Sequence, residues 1–156
     1  MVYINDIAES LTSLTRLFAD DTSLSVSNRA VQHIEHIINK DLQIISYWSK
    51  QWLVDFNPSK TETMFFSLNH NDTLPNIVFD GTVVNFVDVH KHLGVSLSAD
   101  GSWHEHISNI VKSASKIINT MRLLKFKLTR DSLNQIYISY LRPILEYASP
   151  VWDNCS

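Results

Sequence analysis

Residues 17–26 read Leu17-Phe18-Ala19-Asp20-Asp21-Thr22-Ser23-Leu24-Ser25-Val26. Apolar residues recur at alternate positions after the acidic pair, which predicts a strand with one buried face. A short apolar stretch also precedes the pair, so the segment predicts a β-hairpin with Asp20 and Asp21 at its tip. Crowded carboxylates repel each other, and an oxygen-seeking cation such as Mg²⁺ neutralises them in two-metal phosphoryl transfer. Taken alone, an Asp-Asp pair is more often a solvated turn.

The composition is that of one globular domain or a piece of a larger one. Of the 156 residues, 44% are hydrophobic and 19% are charged, which excludes a disordered tail. No apolar run approaches the roughly 20 residues that span a bilayer, and we expect no signal peptide. The only cysteine, Cys155, cannot form an internal disulfide. We therefore expect an intracellular protein, cytoplasmic or nuclear, without a membrane partner.

The net charge of −3 conceals an uneven distribution along the chain. Residues 1–102 carry six basic and twelve acidic side chains, whereas residues 103–142 carry seven basic and two acidic ones. An acidic half followed by a basic half is typical of a metal site beside an element that grips a polyanion. Basic residues on the solvent-exposed face of an amphipathic helix would give the same charge distribution.

The strand-rich part of the chain comes first in the predicted order. A long amphipathic helix is expected from about 29 to 52, with Ser27 or Asn28 as its N-cap. Asp80-Gly81 is the strongest hairpin turn signal in the chain. The expected strands after the helix are 62–68, 76–79, 82–87 and 92–97.

The remainder of the chain is predicted to be helical. Ser102 and Glu105 have the spacing of a capping box that opens a helix. Thr129 is expected to cap a further helix to about 141, and Pro143 suits the first turn of a last short helix. The expected fold class is therefore α+β, with strands first and helices last.

Six short motifs follow one another along nearly the whole chain: Tyr3-Ile4-Asn5-Asp6-Ile7, Leu17-Phe18-Ala19-Asp20-Asp21-Thr22, Trp52-Leu53-Val54-Asp55-Phe56-Asn57-Pro58-Ser59-Lys60-Thr61-Glu62, His92-Leu93-Gly94-Val95, Tyr140-Leu141-Arg142-Pro143-Ile144-Leu145-Glu146-Tyr147-Ala148 and Val151-Trp152-Asp153. In content and order they resemble the reverse transcriptases of non-LTR (LINE-type, jockey-like) retrotransposons. The resemblance implies a partial right-hand polymerase palm (hairpin, long helix, antiparallel strands) over residues 1–98. An all-helical thumb over residues 99–156 would follow.

The resemblance also implies RNA-directed DNA polymerase chemistry on an RNA template and a DNA primer. Asp20 would coordinate the catalytic Mg²⁺, for which Mn²⁺ can substitute, and Asp21 would be a second ligand or an electrostatic supporter. Lys60 would lie near the incoming triphosphate and neutralise or protonate the leaving pyrophosphate, unless it is an ordinary strand-edge lysine.

Two groups of residues are implied to hold the nucleic acid. The tight turn that grips the primer 3′ end would comprise Lys91, His92, Leu93 and Gly94. Phosphates of the RNA–DNA duplex would be contacted, without reading of sequence, by basic residues of the thumb. These residues are Lys112, Lys116, Arg122, Lys125 and Lys127.

The family supplies a further metal-binding carboxylate from a strand well upstream of the hairpin, and residues 1–19 do not contain that strand. We therefore expect this polypeptide alone not to polymerise DNA, to need the remaining fingers and palm as a partner, and to expose apolar surface. A non-enzymatic nucleic-acid-binding module and a functionless remnant stay open as alternatives. The histidine pairs His33/His36, His90/His92 and His104/His106 are expected to be surface or capping residues rather than zinc ligands.

Overall fold

The computed structural model describes residues 4–67 and 73–153, in which short strands precede the main group of helices. The strands are β1 Leu14–Phe18, β2 Asp21–Ser25, β3 Glu62–Thr63, β4 Val78–Phe79, β5 Thr82–Val83, β6 Asn85–Phe86, β7 Val89–His92 and β8 Val95–Ser98. The mixed α+β character expected from the sequence is confirmed. Tyr3, the end of the expected strand 62–68, and Cys155 lie outside the described residues.

The helices account for most of the regular structure. The α-helices are α1 Val31–Trp52, α2 His104–Leu124, α3 Arg130–Ile136, α4 Arg142–Glu146 and α5 Ser149–Trp152. Two 3-10 helices cover Ile4–Ser10 and Pro58–Lys60, and a π-helix covers Tyr137–Leu141. In the described part of the chain, no helix is both long enough and apolar enough to cross a membrane. The chain divides into two compact units, with the boundary between Val87 and Asp88.

The first unit has its core on one face of α1. The helix places apolar side chains three or four residues apart, and Leu42, Ile45 and Trp48 are buried there. They pack with Ile7, Ile77, Phe79 and Val84. Burying one such large side chain contributes about 1.5–3 kcal/mol, so this stripe anchors α1 in the unit. The long helix predicted at 29–52 is confirmed.

The strands of the first unit form three separate pairs. β1 and β2 are antiparallel, with Leu14 opposite Ser25 and Phe18 opposite Asp21. β4 and β5 form the hairpin predicted around Asp80-Gly81, where both turn residues have positive φ, 47° and 76°. β3 and β6 pair in parallel, so the expectation of antiparallel strands throughout is wrong at this pair.

The second unit packs helices against the β7–β8 hairpin. Residues 92–97 were expected to form one strand, but the chain reverses at Leu93-Gly94, between β7 and β8. The tight turn expected at residues 91–94 is therefore formed, and the expectation of a continuous strand is wrong. α2 follows the hairpin and packs on β8, with α4 and the π-helix against α2.

Two predicted helix caps are wrong for the same physical reason. The Asn28 side chain accepts a hydrogen bond from the Ala30 N–H (3.0 Å), and α1 begins with Ala30 as its N-cap. At α2, Trp103 is the N-cap, and the Ser102 N–H donates to Asp100 Oδ1 (2.9 Å). Asn and Asp side chains form such local turns in competition with helix caps. The Thr129 cap is confirmed, since its hydroxyl accepts from the Ser132 N–H (3.2 Å).

Large apolar side chains are exposed in both units. Leu53 is 91% exposed at the end of α1, and Leu123 and Phe126 are 78% and 87% exposed at the end of α2. Pro143 lies in the first turn of α4, as the sequence predicted.

Candidate functional site

The acidic hairpin is formed as the sequence predicted. Ala19 and Asp20 link β1 to β2, and Ala19 adopts a positive φ of 52°. Asp20 and Asp21 are both exposed, and Asp21 pairs with Phe18 across the strands. The turn therefore presents two adjacent carboxylates to solvent at the end of a two-stranded ribbon.

These carboxylates suit Mg²⁺ only as part of a ligand set. Mg²⁺ is commonly bound by one or two carboxylates together with waters and substrate phosphates, so Asp20 and Asp21 have the appropriate oxygen chemistry. Within residues 4–67 and 73–153, no group of three or more His, Cys, Asp or Glu side chains gathers to hold a metal. The described residues thus offer two neighbouring carboxylates at this turn rather than a closed metal site.

A buried aspartate that the sequence analysis did not single out fixes the start of this hairpin. Asp41, on α1, is fully buried and accepts hydrogen bonds from the backbone N–H groups of Thr12 (3.1 Å) and Ser13 (2.7 Å). Charge-assisted bonds of this kind compensate the burial of a carboxylate. A usable signal existed, because Asp41 interrupts the apolar stripe of α1 directly before Leu42. Asp41 therefore couples β1 to the long helix.

A second acidic residue, Asp80, is held in the β4–β5 turn. The Ser46 hydroxyl donates to Asp80 Oδ1, and Lys50 Nζ lies 3.5 Å from the same oxygen. The Ser46 hydrogen bond, with a smaller contribution from the Lys50 charge, holds the pKa of Asp80 below its ordinary value. These contacts join the turn to α1, which is a structural role.

Lys60 ends the 3-10 helix at Pro58–Lys60 and is exposed. Asn57 opens that helix by accepting from the Ser59 N–H (3.0 Å) and the Ser59 hydroxyl (2.6 Å). In the described part of the chain, no hydrogen bond or ion pair joins Lys60 to Asp20 or Asp21. Its predicted role near a triphosphate stays a prediction.

The Leu93-Gly94 turn is held by a distant segment of the chain. Both residues have positive φ, 47° and 84°. The Tyr147 hydroxyl donates to the Leu93 carbonyl (2.7 Å), and the Trp152 indole N–H donates to the Tyr147 carbonyl (2.9 Å). The structure therefore brings together three of the motifs, which lie in different places along the sequence.

His106 is buried, so the expectation that it is a surface or capping residue is wrong. Its side chain is 3% exposed and packs edge-on against Trp103 and Trp152, with ring centroids 6.2 and 5.7 Å away. Its Nδ1 accepts a hydrogen bond from the Ser96 N–H (3.3 Å). Burial lowers the pKa of His106, because the charged form loses its solvation. The bond to Nδ1 and the lowered pKa both favour the neutral ring.

The five basic residues assigned to the thumb are all exposed. Lys112 and Lys116 are four residues apart and share one face of α2. Lys125 Nζ lies 4.6 Å from the centre of the Phe126 ring. No ion pair to a described acidic side chain is recorded for any of the five. The five side chains are therefore exposed cations, and their predicted contact with phosphates stays a prediction.

Comparison with known proteins gives one consistent class of relative. The chain is 25% identical over 142 residues to the RNA-directed DNA polymerase from mobile element jockey of Drosophila melanogaster, covering 89% of this chain and 15% of that protein. The jockey polymerase of Drosophila funebris matches to the same extent. A probable RNA-directed DNA polymerase from transposon X-element of Drosophila melanogaster is 26% identical over 147 residues, which is 90% of this chain and 16% of the relative.

The chain is thus distantly similar to the reverse transcriptases of jockey and X-element non-LTR retrotransposons, as its motifs predicted. It spans 15% of the length of the jockey polymerases that it matches. No family model matches the chain. No solved structure matches it significantly.

Proposed function

We propose that this chain supplies part of the palm and the thumb of a retrotransposon RNA-directed DNA polymerase. The observation that carries the proposal is its similarity to the jockey polymerases over 89% of its length. The exposed Asp20-Asp21 turn at the end of the β1–β2 hairpin supports it, because nucleotidyl transfer needs carboxylates near the reacting phosphates. The palm would comprise residues 1–98 and the thumb residues 99–156.

In this function Asp20 is a ligand of Mg²⁺ or Mn²⁺, and Asp21 is a second ligand or an electrostatic supporter. Lys60 faces the triphosphate. Two-metal chemistry needs carboxylates from more than one strand, and the described residues gather only two adjacent ones at one turn. The 156-residue polypeptide by itself therefore binds its substrate without extending a primer, and the remaining ligands come from elsewhere in the polymerase.

The nucleic-acid partner is an RNA template paired with a DNA primer. The turn formed by Lys91, His92, Leu93 and Gly94 contacts the primer 3′ end. The exposed basic residues of α2 and of the segment after it contact phosphates, which makes the affinity fall with salt. A non-enzymatic binding module is the second candidate, favoured by the seven basic against two acidic residues at 103–142.

The test is binding of an RNA–DNA duplex with a recessed 3′ end, measured by fluorescence anisotropy at several salt concentrations. We expect the double variant Lys112→Gln, Lys116→Gln to bind the duplex more weakly. The slope of log affinity against log salt concentration should fall by the amount that corresponds to about two phosphate contacts. The matched control replaces two exposed basic residues of the first unit, Arg29→Gln with Lys40→Gln, and removes the same charge.

Equal weakening by both double variants would contradict the assignment of α2 to the duplex. The same samples are assayed for primer extension with Mg²⁺ and deoxynucleotides. Extension by the 156-residue chain above a no-enzyme control would overturn the statement that it does not act alone. Duplex binding that survives Asp20→Ala fits both candidate functions. Metal binding separates them, because only the polymerase function requires Asp20 as a metal ligand.

A further inference from the structure

We propose that Tyr147 is a positioning residue that holds the Leu93-Gly94 turn in the conformation that receives the primer 3′ end. This inference rests on the proposed function, because the turn has a primer-binding role only in a polymerase. The contacts that carry it lie within the second unit and join residues 54 positions apart in the sequence.

The turn itself is conformationally demanding. Only Leu93 and Gly94 separate β7 from β8, and both have positive φ. The left-handed region is sparsely populated by residues that carry a Cβ, so a contact that holds the Leu93 carbonyl favours this conformation. The Tyr147 hydroxyl supplies that contact by donating to the Leu93 carbonyl oxygen at 2.7 Å.

The Tyr147 ring also lies against the turn. A Cβ added at Gly94 would come within 3.0 Å of Tyr147 Cε1 and 3.4 Å of its Cζ and hydroxyl oxygen. Gly94 therefore meets two requirements, a positive φ and close approach of an aromatic ring. One tyrosine thus touches both residues of the turn, through its hydroxyl and through its ring.

A series of contacts that begins and ends at the β7–β8 hairpin fixes the position of Tyr147. The Trp152 indole donates to the Tyr147 carbonyl at 2.9 Å, and the Trp152 ring packs edge-on against His106. His106 accepts from the N–H of Ser96 in β8, the strand that leaves the turn. The contacts run from the turn through three side chains and return to the same hairpin.

A turn held in this way presents its exposed residues in one conformation. Lys91, Leu93 and Gly94 are exposed, so the turn is accessible to a nucleotide. Holding a binding loop in its bound conformation lowers the ordering cost of binding. In the proposed function the duplex affinity comes mainly from the phosphate contacts of the basic residues, so Tyr147 contributes to the placement of the primer terminus rather than to overall affinity for the duplex.

The test uses the whole 156-residue chain and an RNA–DNA duplex whose recessed primer ends in a photoreactive nucleotide. Cross-linked peptides are located by mass spectrometry, and duplex affinity and the unfolding midpoint are measured on the same samples. In Tyr147→Phe the ring is retained and the hydroxyl is lost. We expect cross-linking to residues 91–95 to fall about threefold to tenfold, the range for one net hydrogen bond, with duplex affinity unchanged.

Tyr140→Phe is the matched control, because Tyr140 is exposed and lies in the preceding π-helix; its cross-linking should equal that of the wild type. Should Tyr147→Phe not fold, Trp152→Phe removes the donor to the Tyr147 carbonyl and is expected to lower the same cross-link. If cross-linking to residues 91–95 is as strong in Tyr147→Phe as in the wild type, Tyr147 does not have the proposed positioning role. The proposed function is unaffected by that result. No wild-type cross-link there overturns the primer-binding role of the turn itself.

Discussion

His106 shows how a single side chain takes its properties from residues far away in the sequence. Nothing near it distinguishes it from His104, which precedes it by two positions and is exposed. Trp152, contributed by the last described helix, covers the His106 ring, and Ser96 occupies its Nδ1. Local spacing was insufficient to predict its burial, because Trp103 lies close to both histidines in the sequence and the second ring packed on His106, Trp152, belongs to another element.

The lowered pKa of His106 predicts a dependence of stability on pH. Above the ordinary histidine value, about 6.5, the ring is neutral in both the folded and the unfolded chain. Below it, the unfolded chain binds a proton that the folded chain resists, since burial lowers the folded pKa. The free energy of unfolding should therefore fall as pH drops from 7.5 to 5.5, with a contribution of at most about 1.4 kcal/mol per pH unit from this proton.

Urea denaturation at pH 7.5 and 5.5 measures this effect. The fall in the free energy of unfolding should shrink in His106→Gln and persist in His104→Gln, whose side chain is exposed. An equal fall in wild type and His106→Gln would show that His106 is not the group that titrates.

At the scale of elements, the hairpin and the long helix depend on each other through Asp41. The sequence predicted both elements separately, because alternation marks the strand and three-or-four spacing marks the helix. The hydrogen bonds from the Thr12 and Ser13 amides to Asp41 join them across 28 or 29 positions. The interrupted apolar stripe of α1 marks Asp41 in the sequence, but no local pattern identifies its partners. Local turn signals such as Asp80-Gly81 were sufficient where the turn residues themselves dictate the backbone, since both adopt positive φ.

Asp41→Ala should destabilise the first unit. The substitution leaves the N–H groups of buried Ser13 and exposed Thr12 without their acceptor, and an unsatisfied buried donor such as the Ser13 N–H costs about 1–3 kcal/mol. Amide hydrogen exchange of β1 and β2 should accelerate, because Asp41 fixes the start of the hairpin. Asp55→Ala is the control, since Asp55 is exposed, and its effect should lie within about 0.5 kcal/mol.

Urea unfolding of both variants supplies the comparison. If Asp41→Ala lowers the free energy of unfolding no more than Asp55→Ala does, the buried carboxylate does not stabilise the hairpin.

At the scale of the whole molecule, the two units hold different parts of the proposed polymerase. The first carries the Asp20-Asp21 turn and Lys60, and the second carries the Leu93-Gly94 turn and the exposed basic residues. The order of the six motifs was sufficient to predict the relationship to jockey-type polymerases, which the comparison confirmed. The roles of individual residues stay predictions, because a role depends on the substrate.

The most direct measurement is the binding of Mn²⁺ at the β1–β2 turn, followed by paramagnetic broadening of amide NMR signals. With a deoxynucleoside triphosphate and a recessed RNA–DNA duplex present, we expect selective broadening of the Asp20 and Asp21 signals. The broadening should be lost in Asp20→Asn and kept in the exposed-aspartate control Asp55→Asn. Broadening that is uniform over the acidic residues, or that persists in Asp20→Asn, would contradict the assignment of this hairpin to a polymerase metal site.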